Sequence, residues 1–273
     1  QRITRELLAC GADIVEMNTI RKRLSRVKAG RFAQHCAPAR VFSIVLSDIV
    51  GDPLDMIASG PAYPDASTAE QALAIVKKYA LHLSDEALSC LEAPTPNHLS
   101  NVETHITGSV RALCAAAQDA AQKLGFQCRM LTDCLECEAR EAGRFLASIA
   151  RSHQQTERPL AFFAGGETVV HLTGQGLGGR NQELALAAAP GLRGTQNTAV
   201  CSFGSDGTDG PTDAAGGFVD QSSDTALRAA GLDVPQVLAE NDAYHALQKI
   251  GGLLMTGPTG TNVNDLAMVL IWR

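Results

Sequence analysis

The segment with the clearest chemical potential is a glycine-rich run that ends in an arginine. Gly174, Gly176, Gly178 and Gly179 stand in GQGLGGR, directly before Arg180. Glycines let a backbone approach a phosphate closely, and a helix beginning here offers N–H groups and the positive end of its dipole. The arginine adds a charged fork. The pattern predicts an anion site; a tight turn beside a solvated arginine is the alternative.

The same glycines satisfy the G-x-G-x-x-G pattern of dinucleotide-binding proteins. That pattern needs an acidic residue about 20 residues later, which binds the ribose hydroxyls. Residues 184–205 contain neither Asp nor Glu. The dinucleotide interpretation therefore lacks its second half.

An acidic loop is the second candidate. Asp206, Thr208, Asp209, Thr212 and Asp213 follow directly after a predicted strand. In open α/β sheets, ligands bind at the carboxyl ends of strands, and carboxylate and hydroxyl oxygens suit Mg²⁺. An ordinary turn rich in Asp, Gly and Thr is the competing interpretation.

Three further segments carry candidate residues. Asn262 and Asn264 lie in a Gly/Thr/Asn loop that can wrap a substrate or simply bond its own backbone. Asp48 and Ser59 lie in turn-rich sequence after a buried strand, where function and turn chemistry are equally indicated. Lys28 precedes Gly30 at the end of a basic helix, where it can also complement the helix dipole.

Other site classes find little support in the sequence. There is no G-x-S-x-G, and the GGET stretch at 165–168 lacks the lysine of a Walker A motif. Cys134 and Cys137 have C-x-x-C spacing, but two further zinc ligands are missing. We interpret these thiols as structural or incidental, with a redox pair as the open alternative.

The composition narrows the class of function. Acidic residues number 29 against 23 basic ones, for a net charge of −6, and 4% of the 273 residues are aromatic. Such a chain is unsuited to general nucleic-acid binding. No apolar stretch approaches the length of a membrane span. We therefore expect small anionic ligands bound at local sites.

Helical and strand patterns alternate along the chain, which is typical of an α/β protein. Strands are predicted over 41–47, 103–107, 126–132, 160–164, 167–172, 198–203 and 266–272. Helices are predicted over 4–33 with breaks at Gly11 and Gly30, then over 68–80, 85–92, 109–124, 136–153, from about 180, and over 223–230 and 235–250. A capping box, Ser67–Glu70, opens the helix at 68. Prolines at 94 and 96 predict a domain boundary.

Three segments in chain order resemble the glycerate 2-kinase family, which shares the MOFRL domain: GGETVVHLTGQGLGGRNQELAL, FGSDGTDGPTDAAGG and TGPTGTNVNDL. GADIVEMNTIRKRLSRVKAGRFA and LSDIVGDPLDMIASGPAYPD look like the family's N-terminal region. The resemblance implies two three-layer α/β domains with an active-site cleft between them. Residues 1–98 would be the C-terminal part of a Rossmann-like domain, and 99–273 a second domain with the MOFRL region at about 158–270.

The resemblance implies ATP- and Mg²⁺-dependent phosphorylation of D-glycerate to 2-phosphoglycerate. Arg180, Asp206 and Lys28 would be catalytic, and Asp206 and Asp209 would hold the metal. Substrate and nucleotide would contact Glu167, Thr168, Gly178, Gly179, Asn181, Gly207, Thr208, Asn262, Asn264, Asp48 and Ser59. We expect Arg180→Ala to lower turnover by orders of magnitude with little loss of fold stability.

The expected partners are a small hydroxy acid and a nucleotide, with no nucleic acid or membrane, in a cytoplasmic homodimer. Two departures from the family pattern are visible. KAGR stands where the family usually shows KGGR. The N-terminal part of the family, with its GKA-type lysine and Ser-Gly-Gly loop, is absent from the given sequence. We therefore expect an incomplete N-terminal domain. Two alternatives remain. One is an NAD(P)H-dependent hydroxypyruvate reductase, the older name that some members of the family carry. The other is an inactive fragment that binds a metabolite.

Overall fold

The computed structural model describes residues 2–273, and Gln1 lies outside the described residues. Backbone contacts divide the chain into two compact units. The first consists of the residues up to Val45 together with Asp52–Thr107, and the second of Leu46–Gly51 and Gly108–Arg273. Apart from the short segment Leu46–Gly51, the chain passes from the first unit to the second after Thr107. The domain boundary at 98/99 stays a prediction.

Among its described residues, the first unit contains five α-helices and a two-stranded sheet formed by β1 and β2. In chain order the elements are α1 Arg2–Ala9, α2 Ile14–Arg23, α3 Arg31–Cys36, β1 Val41–Leu46, α4 Ala69–Lys78, α5 Asp85–Glu92 and β2 Val102–Gly108. A 3₁₀ turn, Ile57–Ser59, lies between β1 and α4. The predicted breaks at Gly11 and Gly30 are confirmed, both with positive φ.

Capping boxes begin two of these helices. Asp13 caps α2 and Glu16 returns the bond, which satisfies two backbone donors that a helix start leaves free. At α4 the box is formed by Thr68 and Gln71, one residue later than predicted. Apolar side chains of α1, α2, α4 and α5 then form one core, which includes Leu7, Ile20, Ile75 and Leu91.

The second unit is built on a six-stranded sheet of order β3-β4-β8-β5-β6-β7. Its elements are α6 Val110–Lys123, β3 Gln127–Leu135, α7 Ala139–Ser152, β4 Leu160–Gly166, α8 Arg180–Leu192, β5 Thr198–Gly204, β6 Gly216–Asp220, α9 Ser223–Ala229, α10 Val234–Ala239, α11 Ala243–Ile250, β7 Leu253–Leu254 and β8 Asp265–Ile271. β3 and β4 are parallel, and the β4–β8, β8–β5, β5–β6 and β6–β7 pairs are antiparallel.

Side chains of β4 show why the second unit has three layers. Leu160, Phe162 and Ala164 join the core with α7, α8, α10 and α11. Ala161 and Phe163 point to the other face and pack with α6. Because alternate residues of a strand face opposite sides, helices cover both faces of the sheet. The predicted α/β class is confirmed.

Among residues 2–273, no helix combines the length and the apolar character that crossing a membrane requires.

The predicted strand over 167–172 is wrong. The chain leaves the sheet at Gly166, whose φ is +152° and where a Cβ would lie 2.4 Å from Leu135 backbone atoms. Beyond that point only an isolated bridge forms, between Val169 and Glu138. Val169 and Leu172 are 62% and 78% exposed, so their apolar character does not report a buried strand.

The predicted single helix over 235–250 is also wrong. It is interrupted at Asn241, which has a left-handed φ of 53° and separates α10 from α11. In addition, the sequence did not predict β6, because it begins with Gly216 and Gly217, residues that are depleted in strands.

Candidate active site at the carboxyl edge of the sheet

Three strands of the second unit end at the same edge of the sheet. β4 and β5 run in the same direction because each pairs antiparallel with β8, and β3 is parallel to β4. β8 runs the opposite way and begins at this edge, where Asp265 pairs with both Gly166 and Gly204. The segments after β4 and β5 therefore meet the start of β8, at the edge where α/β proteins bind ligands.

Arg180 is the first residue of α8 and is held by two carboxylates. Its Nε lies 2.5 Å from Asp265 Oδ2 and its Nη2 lies 3.0 Å from Asp265 Oδ1. Its Nη1 lies 3.1 Å from Glu167 Oε1. The hydrogen bonds that Arg180 donates to the Asp265 carboxylate raise the pKa of Arg180 above its ordinary value. The guanidinium thus stays charged, and the two-point contact fixes its plane.

Asp265 was not identified from the sequence. It stands immediately before the predicted strand 266–272, and no nearby residue in the chain marks it as the partner of Arg180, which lies far away in sequence. An acidic residue at the start of a strand of strongly apolar sequence is the one local signal that could have found it.

Asp209 occupies the N-terminus of α8. Its Oδ1 accepts a hydrogen bond from the Asn181 N–H at 3.2 Å, and its Oδ2 accepts one from the Gln182 N–H at 2.9 Å. The predicted anion position at this helix start is therefore filled by a carboxylate of the chain itself. Burial raises the pKa of Asp209 to about 6, even though these hydrogen bonds act in the opposite direction.

Asn181 and Gln182 tie the acidic loop to the unit's core. Asn181 donates from Nδ2 to Asp209 Oδ1 at 3.2 Å and accepts from Ser202 Oγ at 2.5 Å. Gln182 Nε2 donates to Thr212 Oγ1 at 2.7 Å. Asn181 is buried, with 1% of its surface exposed. Its observed contacts are with the protein, and its predicted contact with a ligand remains a prediction.

The structure requires glycine at positions 174 and 176 for a different reason from the expected close approach to a phosphate. A Cβ at Gly174 would lie 2.3 Å from Glu240 Cα, and a Cβ at Gly176 would lie 2.5 Å from Glu240 O. The Gly176 N–H donates to Glu240 O at 2.7 Å, and the Leu177 N–H donates to Asp242 Oδ1 at 2.9 Å. These glycines allow close contact with the turn between α10 and α11.

Asn241 is the centre of that contact. Its Oδ1 accepts from the Thr173 N–H at 2.8 Å and from the Gly174 N–H at 2.9 Å. Its Nδ2 donates to His171 O at 3.2 Å and to Glu183 Oε2 at 3.1 Å. A non-glycine residue in the left-handed region, with a buried side chain that satisfies four groups, fixes the glycine-rich loop in one position.

Glu183 extends this network and was likewise missed. It is buried, its Oε1 lies 3.1 Å from Arg140 Nε, and burial raises its pKa. In the sequence it was part of the GGRNQE stretch but had no separate role. Only the fold brings Arg140 and Asn241 beside it.

A cleft of about 560 Å³ opens between the glycine-rich loop and the end of β4. Glu167, Arg180 and Glu183 supply its charged groups. Its other lining residues are Thr168, Val169, Val170, Leu172, Gly174, Gly176, Gly178, Gly179, Gly210, Pro211, Asn241 and Ala243. The cleft therefore combines an apolar side with one charged end, as many small-molecule sites do.

Among the buried polar atoms of the described residues that have no partner are Thr168 Oγ1 and Asn264 Oδ1, both at this edge. Asn264 is 3% exposed and has a left-handed φ of 67°. Its Nδ2 donates to Asp48 O at 3.0 Å and to Glu167 Oε2 at 3.4 Å. Unsatisfied buried groups and backbone strain both concentrate at functional sites.

A second cleft, of about 510 Å³, lies beside the acidic loop. It is lined by Leu46, Asp48, Asp206, Thr208, Pro258, Gly260, Thr261 and Asn262. Asp206 Oδ1 accepts from the Thr208 N–H at 2.9 Å. Gly207 has a φ of +84°, and a Cβ there would lie 2.0 Å from Gly257 O, so the two loops are in close contact.

Lys28 and Ser59 belong to the first unit and contact each other. Lys28 Nζ donates to Ser59 Oγ at 3.0 Å and to Ala58 O at 3.2 Å. Ser59 Oγ donates to Asn18 Oδ1 at 3.0 Å. Ala58 and Ser59 both have left-handed φ values, 50° and 61°. Burial lowers the pKa of Lys28 from its ordinary value.

Neither cysteine chemistry nor a metal cluster is indicated by the described residues. Cys134 and Cys137 are free, exposed residues. Local desolvation by neighbouring atoms, together with the Asp133 carboxylate beside Cys134, raises the pKa of each thiol, which disfavours the reactive thiolate. Across residues 2–273, no group of three His, Cys, Asp or Glu side chains is placed to hold a metal ion.

Comparisons with known protein families and sequences agree with the motifs. Residues 1–92 match a domain of unknown function, DUF4147, and residues 160–265 match the MOFRL family. The chain is 54% identical to the D-glycerate 2-kinase of Thermotoga maritima, over 99% of this chain and 66% of that protein. The chain thus spans just under two thirds of the length of that relative.

Other relatives and a solved structure extend this result. The glycerate kinase of Macaca fascicularis is 36% identical, over 99% of this chain and 82% of that protein. Two Agrobacterium vitis relatives, each 39% identical, are named putative hydroxypyruvate reductases. A crystal structure of the Thermotoga maritima glycerate kinase, 54% identical, gives a TM-score of 0.94 over 99% of this chain and 66% of that one. This chain belongs to the glycerate 2-kinase family.

Proposed function

We propose that the protein transfers the terminal phosphoryl group of ATP to D-glycerate and forms 2-phosphoglycerate. The observation that carries this proposal is the Arg180 guanidinium, which Asp265 holds by two contacts at the carboxyl edge of the sheet. The names of the relatives support the choice of substrate, since they describe kinases of glycerate.

Arg180 is proposed as the group that stabilises the transferring phosphoryl. Phosphoryl transfer depends mainly on positioning and on neutralising charge spread over the transferring oxygens. Asp265 uses Nε and Nη2, which leaves Nη1 facing Glu167. The side chain of Glu167 is 46% exposed against 9% for Asp265, so Glu167 is the carboxylate that an incoming anion can displace more easily.

The two clefts suggest a division between the ligands. We assign the nucleotide to the 560 Å³ cleft, because Val169, Val170 and Leu172 offer an apolar wall for a base and Arg180 stands at its charged end. We assign glycerate to the 510 Å³ cleft, where Asp206, Thr208 and Asn262 offer groups that can bond its hydroxyls. Asn264 and Thr168 would satisfy their unpaired oxygens on bound ligands.

The carboxylates fit a magnesium ion only in part. Both oxygens of Asp209 already accept N–H donors of α8, which argues against direct coordination by Asp209. Asp206 accepts one backbone hydrogen bond and lines the 510 Å³ cleft, so it would hold the ion. One or two carboxylates are enough for a protein to hold Mg²⁺ at a phosphate-binding site. When bound, it would neutralise phosphate charge.

The roles of the remaining predicted residues stay proposals. As an alternative to holding the ion, Asp206 is the candidate to accept the proton of the attacking hydroxyl. Lys28, whose Nζ donates to Ser59 Oγ, is proposed to bind an anionic group together with Ser59. A homodimer and a cytoplasmic location are predictions that sedimentation and fractionation can check.

The hydroxypyruvate reductase alternative has a structural argument against it. The N–H groups of Gly174 and Gly176, which a dinucleotide pyrophosphate would need, are bonded to Asn241 and Glu240. We expect no NADH oxidation when the protein is mixed with hydroxypyruvate. Measurable oxidation, lost in Gly176→Ala, would favour the reductase.

The kinase is tested by ADP release with D-glycerate, ATP and Mg²⁺. We expect turnover by the wild-type protein, a loss of at least a hundredfold in kcat for Arg180→Ala, and partial recovery in Arg180→Lys, which keeps the charge but not the fork. Arg129→Gln, an exposed arginine of β3, is the control. Binding of ATP and glycerate without any turnover would favour the inactive fragment instead.

A further inference from the structure

The second unit contains a groove that the proposed kinase reaction does not use. It has a volume of about 270 Å³ and lies between α7, α8 and α10. Its residues do not overlap with those of either cleft at the carboxyl edge. It is therefore a separate cavity, and its chemistry can be considered by itself.

The floor of the groove is formed by Ala187, Pro190 and Gly191 of α8. The groove exists because these residues have small side chains or none. At Gly191 a Cβ would lie 2.7 Å from Ala147 Cβ, so α7 and α8 approach closely next to the groove. Pro190 lacks an N–H and cannot close the helical bond to the carbonyl four residues earlier, which interrupts the regular surface of α8.

One wall of the groove is basic. Arg144, Ser148 and Arg151 lie on one stripe of α7, at the i, i+4 and i+7 positions. Arg144 pairs with Glu141, and because both side chains are more than half exposed the pair is weak. Arg151 donates to Ser148 Oγ at 3.3 Å, and within residues 2–273 no carboxylate forms an ion pair with it.

The opposite wall is apolar. Val234, Pro235 and Leu238 of α10 form it, and no acidic side chain lines the groove in the described part of the chain. The groove is thus lined by two arginines and no carboxylate, so it is locally basic although the protein has a net charge of −6. A basic wall that faces an apolar wall matches a ligand with an anionic end and a hydrocarbon or aromatic body.

We propose that this groove is a second small-molecule site, for a phosphorylated ligand with a small apolar body. At ~30 Å³ per water, the cavity has room for roughly nine waters, which limits the ligand to about the size of a phosphorylated ring. Arg144 and Arg151 would bind the phosphate, and the side chains of α10 would pack on the body.

The test uses phenyl phosphate as the probe, with backbone amide shifts measured by NMR on the full chain. We expect saturable shifts at Ala187, Gly191 and Leu238. In Arg144→Gln/Arg151→Gln the apparent Kd at these amides should rise at least tenfold. Arg129→Gln is the matched control, and thermal melts of both variants establish that they fold.

Five outcomes separate the possibilities. Groove shifts that survive unchanged in Arg180→Gln support a site independent of the proposed kinase centre. Shifts that persist in the double variant, or no shifts at all, overturn the proposal. Phenol binding as tightly as phenyl phosphate would show an apolar pocket only. Inorganic phosphate binding as tightly would show a simple anion site, and both results contradict the assigned ligand class.

Discussion

A carboxylate buried against the start of a helix links protonation to stability, and Asp209 is in that position. Its pKa is about 6 in the folded protein, raised by burial from an ordinary 3.8. The folded state therefore binds a proton more tightly than the unfolded chain does. The resulting stabilisation is fully present below pH ~4 and is lost as the pH rises through 6.

We predict that Asp209→Asn reduces this dependence. At ~1.4 kcal/mol per pKa unit, the wild-type contribution is of the order of 2–3 kcal/mol between pH 4 and 7. The measurement is urea unfolding at several pH values, and the control is Asp213→Asn, an exposed carboxylate of the same loop. Equal pH slopes in Asp209→Asn and the wild-type protein would contradict the assignment.

Arg180 has a structural role that the sequence did not indicate. The sequence led us to expect little loss of stability in Arg180→Ala. The structure corrects this, because Asp265 is buried and would lose the guanidinium that it bonds at two points. An unpaired buried acceptor costs about 1–3 kcal/mol.

We therefore predict that Arg180→Ala lowers the free energy of unfolding and that adding Asp265→Asn restores part of it. The double variant removes the buried charge together with its partner. Asp265→Asn alone should keep Arg180 but lose its orientation, so we expect a lower kcat with a smaller change in KM for ATP. If Arg180→Ala/Asp265→Asn were no more stable than Arg180→Ala, the loss of stability would not come from the unpaired Asp265 carboxylate.

At the scale of elements, the glycine-rich loop is held by the turn between α10 and α11. We predict that Gly176→Ala destabilises the protein by about 1–3 kcal/mol, because its Cβ would lie 2.5 Å from Glu240 O. Gly178→Ala is the control in the same loop, since its nearest contacts are at 3.3 Å. Thermal unfolding of the two variants measures the difference. Similar melting temperatures would contradict the prediction, because they would show that the turn between α10 and α11 moves to accommodate the added Cβ.

Sequence patterns predicted the elements whose signals are local. The buried strands β4, β5 and β8 are continuous apolar runs, and the start of α8 at Arg180 follows its glycines. The strand-end argument predicted a ligand position for Asp206, which follows β5 directly. Glu167 was placed inside a predicted strand that does not form, and only the family resemblance grouped it with Arg180.

The rest depends on contacts between distant parts of the chain. Asn241 interrupts a helix pattern in order to bond a loop near residue 174, and nothing in its own neighbourhood predicts that partner. Asp209 has the composition of a turn residue and acts as a cap for a helix that begins 29 residues earlier, at Arg180. Pairings of this kind follow from tertiary structure and override local propensity.

At the scale of the second unit, β8 joins the sheet together, since β4 and β5 each pair with it and not with each other. We predict that Leu266→Ala, at a fully buried position of β8, costs about 2–5 kcal/mol. Leu124→Ala, at a residue 77% exposed, should change stability by less than about 0.5 kcal/mol. Hydrogen exchange in β4 and β5 should accelerate together in Leu266→Ala, and acceleration in one strand alone would contradict a joint role.

The position of β8 has a consequence for how the protein is made. Leu160 pairs with Ile271, so the centre of the sheet closes only after a long intervening stretch of chain has emerged from the ribosome. Until then β4 and β5 expose unpaired edges and apolar faces, and contacts of such high sequence separation form slowly. Nascent chains should therefore depend on chaperones until β8 inserts, and that same event brings Asp265 to Arg180.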